Sequence, residues 1–176
     1  QAVMNAGQLI RDGRAQSVKI EGGRRVVSLV ERLVLAGIPV MGHLGLTPQS
    51  IHQLGGYKLQ GKNRKKADEL LEDARLLENA GVYCLVLEGV PSVLAKEVSE
   101  AISIPTIGIG AGPHCDGQVL VIYDLLGLDS DFNPRFLKKY RDLSAEVIDA
   151  LNSFSSETKA GVFPDESHYV NGKSKR

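Results

Sequence analysis

The sequence predicts an α/β fold in which parallel strands alternate with helices. Two observations lead to this prediction: short runs rich in β-branched residues recur along the chain, and longer segments with helical spacing separate them. Since a parallel pair of strands needs a long connection, usually a helix, this alternation is typical of βα units. The candidate strands cover residues 17–21, 39–43, 83–88, 106–109 and 118–123.

The helices between these strands have clear ends in the sequence. Apolar residues recur at helical spacing over 26–34, and Gly37 closes the pattern, because glycine is favoured at the position that follows a helix. A second pattern runs over 67–77 and ends at Gly81. A third covers 91–102, with a proline at the first helical position.

The two ends of the chain carry different patterns. Helical spacing is present over residues 2–10 and Gln1 is not an initiator methionine, so the chain is expected to begin inside a domain. After the last candidate strand the alternation fades, and apolar residues predict two closing helices, around 136–140 and 147–154. The tail from Gly161 is expected to be irregular.

The composition is that of an ordinary single domain, residues 1–176. The 21 Lys and Arg residues balance 21 Asp and Glu residues, which argues against nucleic acid or an anionic membrane as the main partner and favours a small molecule. No apolar stretch approaches the roughly 20 residues of a membrane helix, and the start resembles neither a signal peptide nor a transit peptide. Two cysteines without metal-ligand spacing favour a reducing, cytoplasmic compartment.

Five parallel strands fit two architectures. They could form an open doubly wound sheet, or they could be the last five units of an eight-stranded (β/α)₈ barrel, which needs about 250 residues. Length alone favours the open sheet. The residues at the strand ends favour the barrel, because barrel enzymes build their sites at the carboxyl ends of the strands.

The first of these strand ends carries two charged residues. Lys19 and Glu21 lie two apart, so a strand presents both on one face while Val18 and Ile20 point to the other. Polar side chains at the carboxyl end of a parallel strand lie where barrel enzymes place their sites. A buried Lys–Glu ion pair is the alternative interpretation.

Two further strands end in residues with catalytic chemistry. His43 ends the second strand between Gly42 and Gly45, which leave room near the backbone, although a histidine bonded to the main chain is the simpler interpretation of this residue alone. Glu88 ends the apolar third strand, where partial desolvation suits a general base; a cap or a salt bridge is the alternative. Three successive strands therefore end in Glu, His and Glu, and a barrel assembles a site from separate strands in this way.

Three other patterns favour plain structural interpretations. The glycines of 108–112 lack the spacing of a dinucleotide fingerprint, and Pro113 with a turn follows where a helix should open. The His-Cys-Asp run at 114–116 has no second ligand cluster, which a zinc site requires. The basic run 58–66 could meet an anionic substrate but is more typical of a solvated loop.

Several segments of the sequence, in their order and spacing, resemble the ketopantoate hydroxymethyltransferase family. The similarity covers nearly the whole chain and extends to a closing motif at 161–168. The segments that carry it are Val18-Lys19-Ile20-Glu21-Gly22-Gly23, Gly42-His43-Leu44-Gly45-Leu46-Thr47-Pro48-Gln49, Gly55-Gly56-Tyr57-Lys58-Leu59-Gln60-Gly61, Leu85-Val86-Leu87-Glu88, Ile107-Gly108-Ile109-Gly110-Ala111-Gly112 and Asp116-Gly117-Gln118.

The resemblance implies a fold, a reaction and residue roles. The fold would be a (β/α)₈ barrel, and the reaction would transfer a hydroxymethyl group from 5,10-methylenetetrahydrofolate to 3-methyl-2-oxobutanoate, giving 2-dehydropantoate for pantothenate synthesis through a Mg²⁺-stabilised enolate. By the same resemblance Glu21 matches a magnesium ligand, Lys19 matches a residue that binds the keto acid, and Glu88 matches the proton acceptor. A homo-oligomer is also expected.

The resemblance leaves a gap at the start of the chain. The family carries further aspartate metal ligands and an adjacent serine on earlier strands, and no counterpart precedes Gln1, so the chain is expected to be the carboxyl-terminal portion of a barrel and inactive alone. Two alternatives remain open at this point. One is a Mg²⁺-dependent lyase or carboligase acting on α-keto acids, and the other is an inert binding or structural fragment.

Overall fold

The structure is a computed structural model that describes residues 1–50, 56 and 58–170. The chain divides into two compact units, Gln1–Val119 and Leu120–Arg176. That residues 1–176 make one domain stays a prediction. No helix within the described ranges is both long enough and apolar enough to cross a membrane.

The first unit is a parallel sheet with helices packed against it. Its elements are α1 (Ala2–Arg11), β1 (Val18–Glu21), α2 (Val27–Leu35), β2 (Val40–Gly45), a 3₁₀ turn (Pro48–Ser50), α3 (Arg64–Asn79), β3 (Cys84–Glu88), α4 (Ser92–Ala101), β4 (Thr106–Ile109) and β5 (Gly117–Gln118).

The five strands lie side by side in sequence order, β1 to β5, and each neighbouring pair is parallel. This confirms the predicted α/β class and the predicted succession of strands. The first four strands begin and end within two residues of their predicted bounds. Helices α1 to α3 also lie where helical spacing indicates them, and α4 begins one residue after Pro91, which is its N-cap.

Among the described residues of the first unit, helices pack against one face of the sheet. Most of the alternate residues that face them are apolar and join a single core with residues of the helices. Leu85 and Leu87 of β3 are fully buried in that core, together with Leu77 of α3 and Val98 of α4. Gly42 of β2 also lies on this face, and a Cβ there would be 2.9 Å from the Leu85 side chain, so the glycine gives Leu85 its space.

The connection from β4 to β5 departs from the βα pattern. No helix separates these two strands, and residues 110–116 cross back to the start of β4 as a loop. Asp116 fixes the loop there, because its Oδ2 accepts hydrogen bonds from the Thr106 backbone N–H at 2.8 Å and from Thr106 Oγ1 at 2.9 Å. Thr106 is fully buried and is also bonded to Ser99 of α4, so the loop is fastened to the core.

The predicted fifth strand, 118–123, is wrong over most of its length. Strand β5 ends at Gln118, and residues Ile122–Leu125 form a helical turn, α5. The sequence there favours a strand, but a strand needs a neighbour with free backbone groups. Strand β4 ends at Ile109, whose carbonyl is bonded to Gly89, and Gly110 with φ +61° then turns the chain away, so β5 has no partner beyond its first residues.

The second unit contains α5, α6 (Leu143–Ala160) and a 3₁₀ turn (Glu166–His168). Helix α6 confirms the closing helix predicted around 147–154, with Asp142 as its N-cap and Gly161, at φ +68°, as its C-cap. The closing helix predicted around 136–140 is wrong. Its backbone bonds elsewhere: the Tyr140 N–H donates to the carbonyl of Leu125 rather than to its own segment.

The Asp116 anchor predicts a pH dependence of stability. The hydrogen bonds from Thr106, first from its backbone N–H and then from its hydroxyl, hold the pKa of Asp116 below the ordinary carboxyl value. A depressed folded-state pKa contributes stability above the unfolded pKa of about 3.9, and that stability is lost as the pH falls through the folded pKa. Urea unfolding of Asp116→Asn should therefore differ most from that of the parent chain near neutral pH, and the two should converge in acid.

The matched control is Asp149→Asn on α6. That variant removes a carboxylate for which the described residues supply neither a hydrogen bond nor an ion pair, so it measures the charge change alone. A constant difference between Asp116→Asn and the parent at every pH would contradict the anchor.

Candidate active site

Four polar side chains meet on the face of the sheet that the helices leave uncovered. Lys19 and Glu21 come from β1, His43 from β2 and Glu88 from β3. These four residues all point to one face of the sheet. The residues that alternate with them point to the other face and belong to the helix-covered core: Val18, Val40, Leu44, Leu85 and Leu87. Glu21 and Glu88 are the last residues of β1 and β3, and Lys19 and His43 lie two residues before the ends of β1 and β2.

The strand register sets their relative heights. Glu21 pairs with His43, so these two residues lie level across β1 and β2. Glu88 pairs with Gly45, two residues further along β2 than His43. Gly45 also lets the two strands approach closely, because a Cβ there would collide with the backbone carbonyl of Glu88.

The His43 ring is the centre of the cluster. Lys19 Nζ lies 3.2 Å from His43 Nδ1, and Glu21 Oε1 lies 3.5 Å from the same nitrogen. Glu88 Oε2 lies 3.2 Å from His43 Nε2 on the other side of the ring. Lys19 Nζ and Glu21 Oε1 are 3.7 Å apart. Two carboxylates and one ammonium thus surround a single imidazole.

Burial differs sharply within the cluster. The His43 side chain is 0% exposed, Glu21 and Glu88 are 15% and 19% exposed, and Lys19 is 45% exposed. The imidazole therefore lies beneath the three charged groups, which reach toward solvent. A small anionic molecule that approaches this face would meet the Lys19 ammonium and the two carboxylates before the ring.

The predictions for Lys19, Glu21 and Glu88 can be compared with these positions. Lys19 and Glu21 share one face of β1, as the two-residue spacing predicts, and Glu88 lies beside them at the end of β3. Their functional roles stay predictions. The interpretation of His43 as a histidine held by the main chain is wrong, because its contacts are to side chains. A signal for this was present in the sequence, since His43 alternates with Val40 and Leu44, which face the helix-covered core.

The other patterns singled out in the sequence lie apart from the cluster. The glycines of 108–112 enter the β4–β5 loop and not a helix, which agrees with the rejection of a dinucleotide site. The charged residues of 58–66 that the structure describes are exposed. His168 is bonded to Asp165 in the second unit, and Gly55, Tyr57 and the unassigned His52 lie outside the described residues.

The described residues supply only part of a magnesium site. Within them, no three His, Cys, Asp or Glu side chains are arranged to hold a metal ion. Mg²⁺ is commonly held by one or two carboxylates with water and substrate oxygens as the remaining ligands. Glu21 fits as one such ligand: it is a carboxylate at the strand end, and its Oε2 has only a long contact, 3.4 Å from the Gln49 backbone N–H.

A family model decides which family these residues belong to. The model described as "Ketopantoate hydroxymethyltransferase" matches residues 1–166. The chain belongs to the ketopantoate hydroxymethyltransferase family. The parallel, sequential order of β1 to β5 agrees with the (β/α)₈ barrel of that family.

Curated relatives support the same assignment. The chain is 54% identical to a 3-methyl-2-oxobutanoate hydroxymethyltransferase of Geobacter metallireducens over 95% of this chain and 62% of that relative. Proteins with the same name from Thermoanaerobacter sp. and Anaeromyxobacter dehalogenans are also 54% identical, over 96% and 100% of this chain and 61% and 58% of the relatives. The chain thus spans about 60% of the length of the curated relatives it matches.

The close approach of Gly45 to β3 predicts a strong effect of one methyl group. Gly45 has φ +95°, and a Cβ there would collide with the carbonyl oxygen of Glu88 and lie 2.8 Å from Val90 Cγ1. Gly37 has φ +76° with nothing within 4 Å of its Cβ position, which makes it the matched control. Gly37→Ala should lower the free energy of unfolding by about 1–2 kcal/mol, the cost of a left-handed residue.

Gly45→Ala should cost more, by a further ~1–3 kcal/mol, because the methyl group meets backbone that has to shift. Urea denaturation of both variants measures the difference. Equal losses would mean that β2 and β3 can separate at this point without cost, and the register around Glu88 would then not be rigid.

Proposed function

We propose that this chain acts in the transfer of a hydroxymethyl group from 5,10-methylenetetrahydrofolate to 3-methyl-2-oxobutanoate, which forms 2-dehydropantoate in pantothenate biosynthesis. The observation that carries the proposal is the cluster of one ammonium and two carboxylates around His43 at the carboxyl ends of three adjacent parallel strands. Family membership supports it, and so does the name shared by the relatives.

Lys19 is proposed to bind the keto acid. Its ammonium is the only positive group in the cluster and is the most exposed of the four side chains, so an incoming carboxylate reaches it first. The contact to Glu21 at 3.7 Å is long for an ion pair and leaves N–H donors of the ammonium available. The same positive charge offsets negative charge that develops on the substrate when a proton is removed.

Glu88 is proposed to remove the proton from C3 of the keto acid. It is a carboxylate at the end of a strand that is otherwise buried, and it faces the same side of the sheet as Lys19. A base in this position can accept a proton from a substrate whose carboxylate is held a few ångströms away by the ammonium. The resulting enolate carbon is the nucleophile for the one-carbon unit of the folate.

Glu21 is proposed to be one oxygen ligand of Mg²⁺. When bound, the ion supplies a Lewis acid that makes the carbon next to the ketone more acidic. Within this chain, the part of Glu21 is to present a carboxylate at the end of β1, level with His43 and next to the proposed keto acid site. The other ligands of the ion would be substrate oxygens, water or side chains outside the described residues, because the described residues contain no group of three possible ligands.

The setting of the protein is proposed from its family and composition. Both cysteines, Cys84 and Cys115, are free, which agrees with a cytoplasmic location. The substrates are small molecules, and a homo-oligomer is proposed from the family resemblance alone. Size measurement in solution checks the last point.

The proposed base gives the first test of the function. With Mg²⁺ and 3-methyl-2-oxobutanoate but no folate, deuterium uptake at C3 reports proton removal apart from carbon–carbon bond formation. The complete barrel that the family resemblance implies should catalyse this exchange, and Glu88→Gln should slow it by about 10²- to 10⁴-fold, since that is the usual loss with a general base. Nuclear magnetic resonance of the keto acid follows the exchange directly.

The matched control is Glu100→Gln, which removes an exposed carboxylate of α4 paired with Lys96. It should exchange at the parent rate. Absence of exchange from the complete parent enzyme with Mg²⁺ present would contradict the proposed function, whereas normal exchange by Glu88→Gln in that enzyme would keep the function and move the base elsewhere.

The proposed ligand gives a second test. Glu21→Gln keeps the size of the side chain and removes its charge, so a higher Mg²⁺ concentration should be needed for half-maximal exchange. Binding of Mn²⁺, followed by electron paramagnetic resonance, should weaken in parallel and does not depend on turnover. An unchanged concentration dependence in both measurements would remove Glu21 from the metal site.

A further inference from the structure

The His43 imidazole is fully buried, and both of its nitrogens face charged side chains. Nδ1 faces Lys19 at 3.2 Å, and Nε2 faces Glu88 at 3.2 Å. The ring itself is too deep to be the first contact of a substrate, because the charged groups around it are the exposed ones. Its possible action on the reaction is therefore through the residues that it touches.

The Lys19 contact determines which ring nitrogen carries the proton. An ammonium has only N–H donors, so a contact of 3.2 Å to Nδ1 is favourable when Nδ1 presents its lone pair. A neutral imidazole then carries its proton on Nε2. Glu21 Oε1 lies near Nδ1 but does not need a proton on that nitrogen as its donor. The Lys19 ammonium lies 3.7 Å from the same oxygen and can interact with both Glu21 and Nδ1.

The Nε2–H group has one acceptor within reach. Among the described residues, His43 Nε2 is the one buried side-chain nitrogen or oxygen that has no hydrogen-bond partner. Glu88 Oε2 lies 3.2 Å away but off the N–H direction. Hydrogen bonds in unliganded active sites are often misaligned and become shorter and straighter when substrate binds. A buried donor is costly unless something uses it, and Glu88 is the group placed to do so.

We propose that His43 is a positioning residue that orients the Glu88 carboxylate through its Nε2–H group, with Lys19 fixing the tautomer. The proposal rests on the proposed function, in which Lys19 binds the keto acid and Glu88 removes its proton. It links the two: the lysine that binds the substrate also holds the imidazole in the state that directs the base. No proton has to leave the ring for this role.

The tautomer can be measured without substrate. The chain has four histidines, so ¹⁵N-histidine labelling gives a spectrum simple enough to interpret, and the His43→Gln spectrum identifies the signals of residue 43. The neutral form of the ring of residue 43 should carry its proton on Nε2. In Lys19→Met, which keeps most of the unbranched side chain and removes the donor, the Nδ1–H form should become populated. A proton on Nδ1 in the parent chain would overturn the proposal.

Two substitutions separate orientation from packing. The glutamine amide of His43→Gln can place a donor near the position of Nε2, whereas the shorter amide of His43→Asn places one near Nδ1. Deuterium exchange at C3 should fall by about 10- to 100-fold in His43→Asn, the usual loss with a partner that orients a catalytic group, and His43→Gln should recover most of it. The loss should appear at saturating keto acid and leave the apparent KM nearly unchanged.

Equal losses in the two variants would mean that the ring only fills space, and the proposal would be wrong. If the complete parent enzyme shows no exchange, the proposed function fails, while the tautomer measurement still decides whether Lys19 and His43 are coupled. Circular dichroism of each variant checks the fold. Should either substitution unfold the chain, the spectra of the parent and of Lys19→Met decide the proposal.

Discussion

The two-residue repeat of the β-strand is the constraint on which the rest of this structure depends. In the first unit helices cover one face of the sheet, so most of the alternate residues of β1 to β3 are apolar and join the core. The other parity is free to carry charge, and Lys19, Glu21, His43 and Glu88 all occupy it. A slip of one residue would turn each of these side chains into the core and expose its apolar neighbours. The hydrophobic pattern that stabilises the sheet therefore also fixes the face on which the site lies.

Electrostatics then determine which residue types this face can hold. An imidazole with no exposed surface is costly to bury unless its nitrogens have polar partners. His43 finds them in Lys19 on one side and Glu88 on the other, and neither partner is itself removed from solvent. The charged groups retain hydration, and the imidazole occupies the dry position. This division avoids the desolvation cost of a buried ion pair and leaves the charges accessible to a substrate.

The sequence predicts the central strands well, because each has a repeating apolar signal and a helix that follows. The predictions are wrong for segments whose sequence pattern is local but whose structure depends on hydrogen bonds to another segment. The strand expected over 118–123 has the right residue types, yet β4 ends at Ile109 and offers it no backbone partner beyond the first residues. The helix expected around 136–140 has helical spacing, yet its backbone bonds to the end of α5 instead. In both segments the structure depends on hydrogen bonds made by residues outside the segment, either distant in sequence or at a strand end. The spacing of apolar residues does not reveal these bonds.

The contacts within the candidate site also depend on a feature that the sequence does not determine. Parity alone predicts that Lys19, Glu21, His43 and Glu88 share a face, but a shift of two residues between strands would preserve parity and change every contact. The register is what distinguishes these arrangements: it sets Glu88 level with Gly45, two residues beyond His43, and the carboxylate still comes within 3.2 Å of Nε2. The proposed role of His43 therefore depends on strand register, which the sequence does not determine, and the proposed roles of its partners depend on residue type and face, which the sequence does.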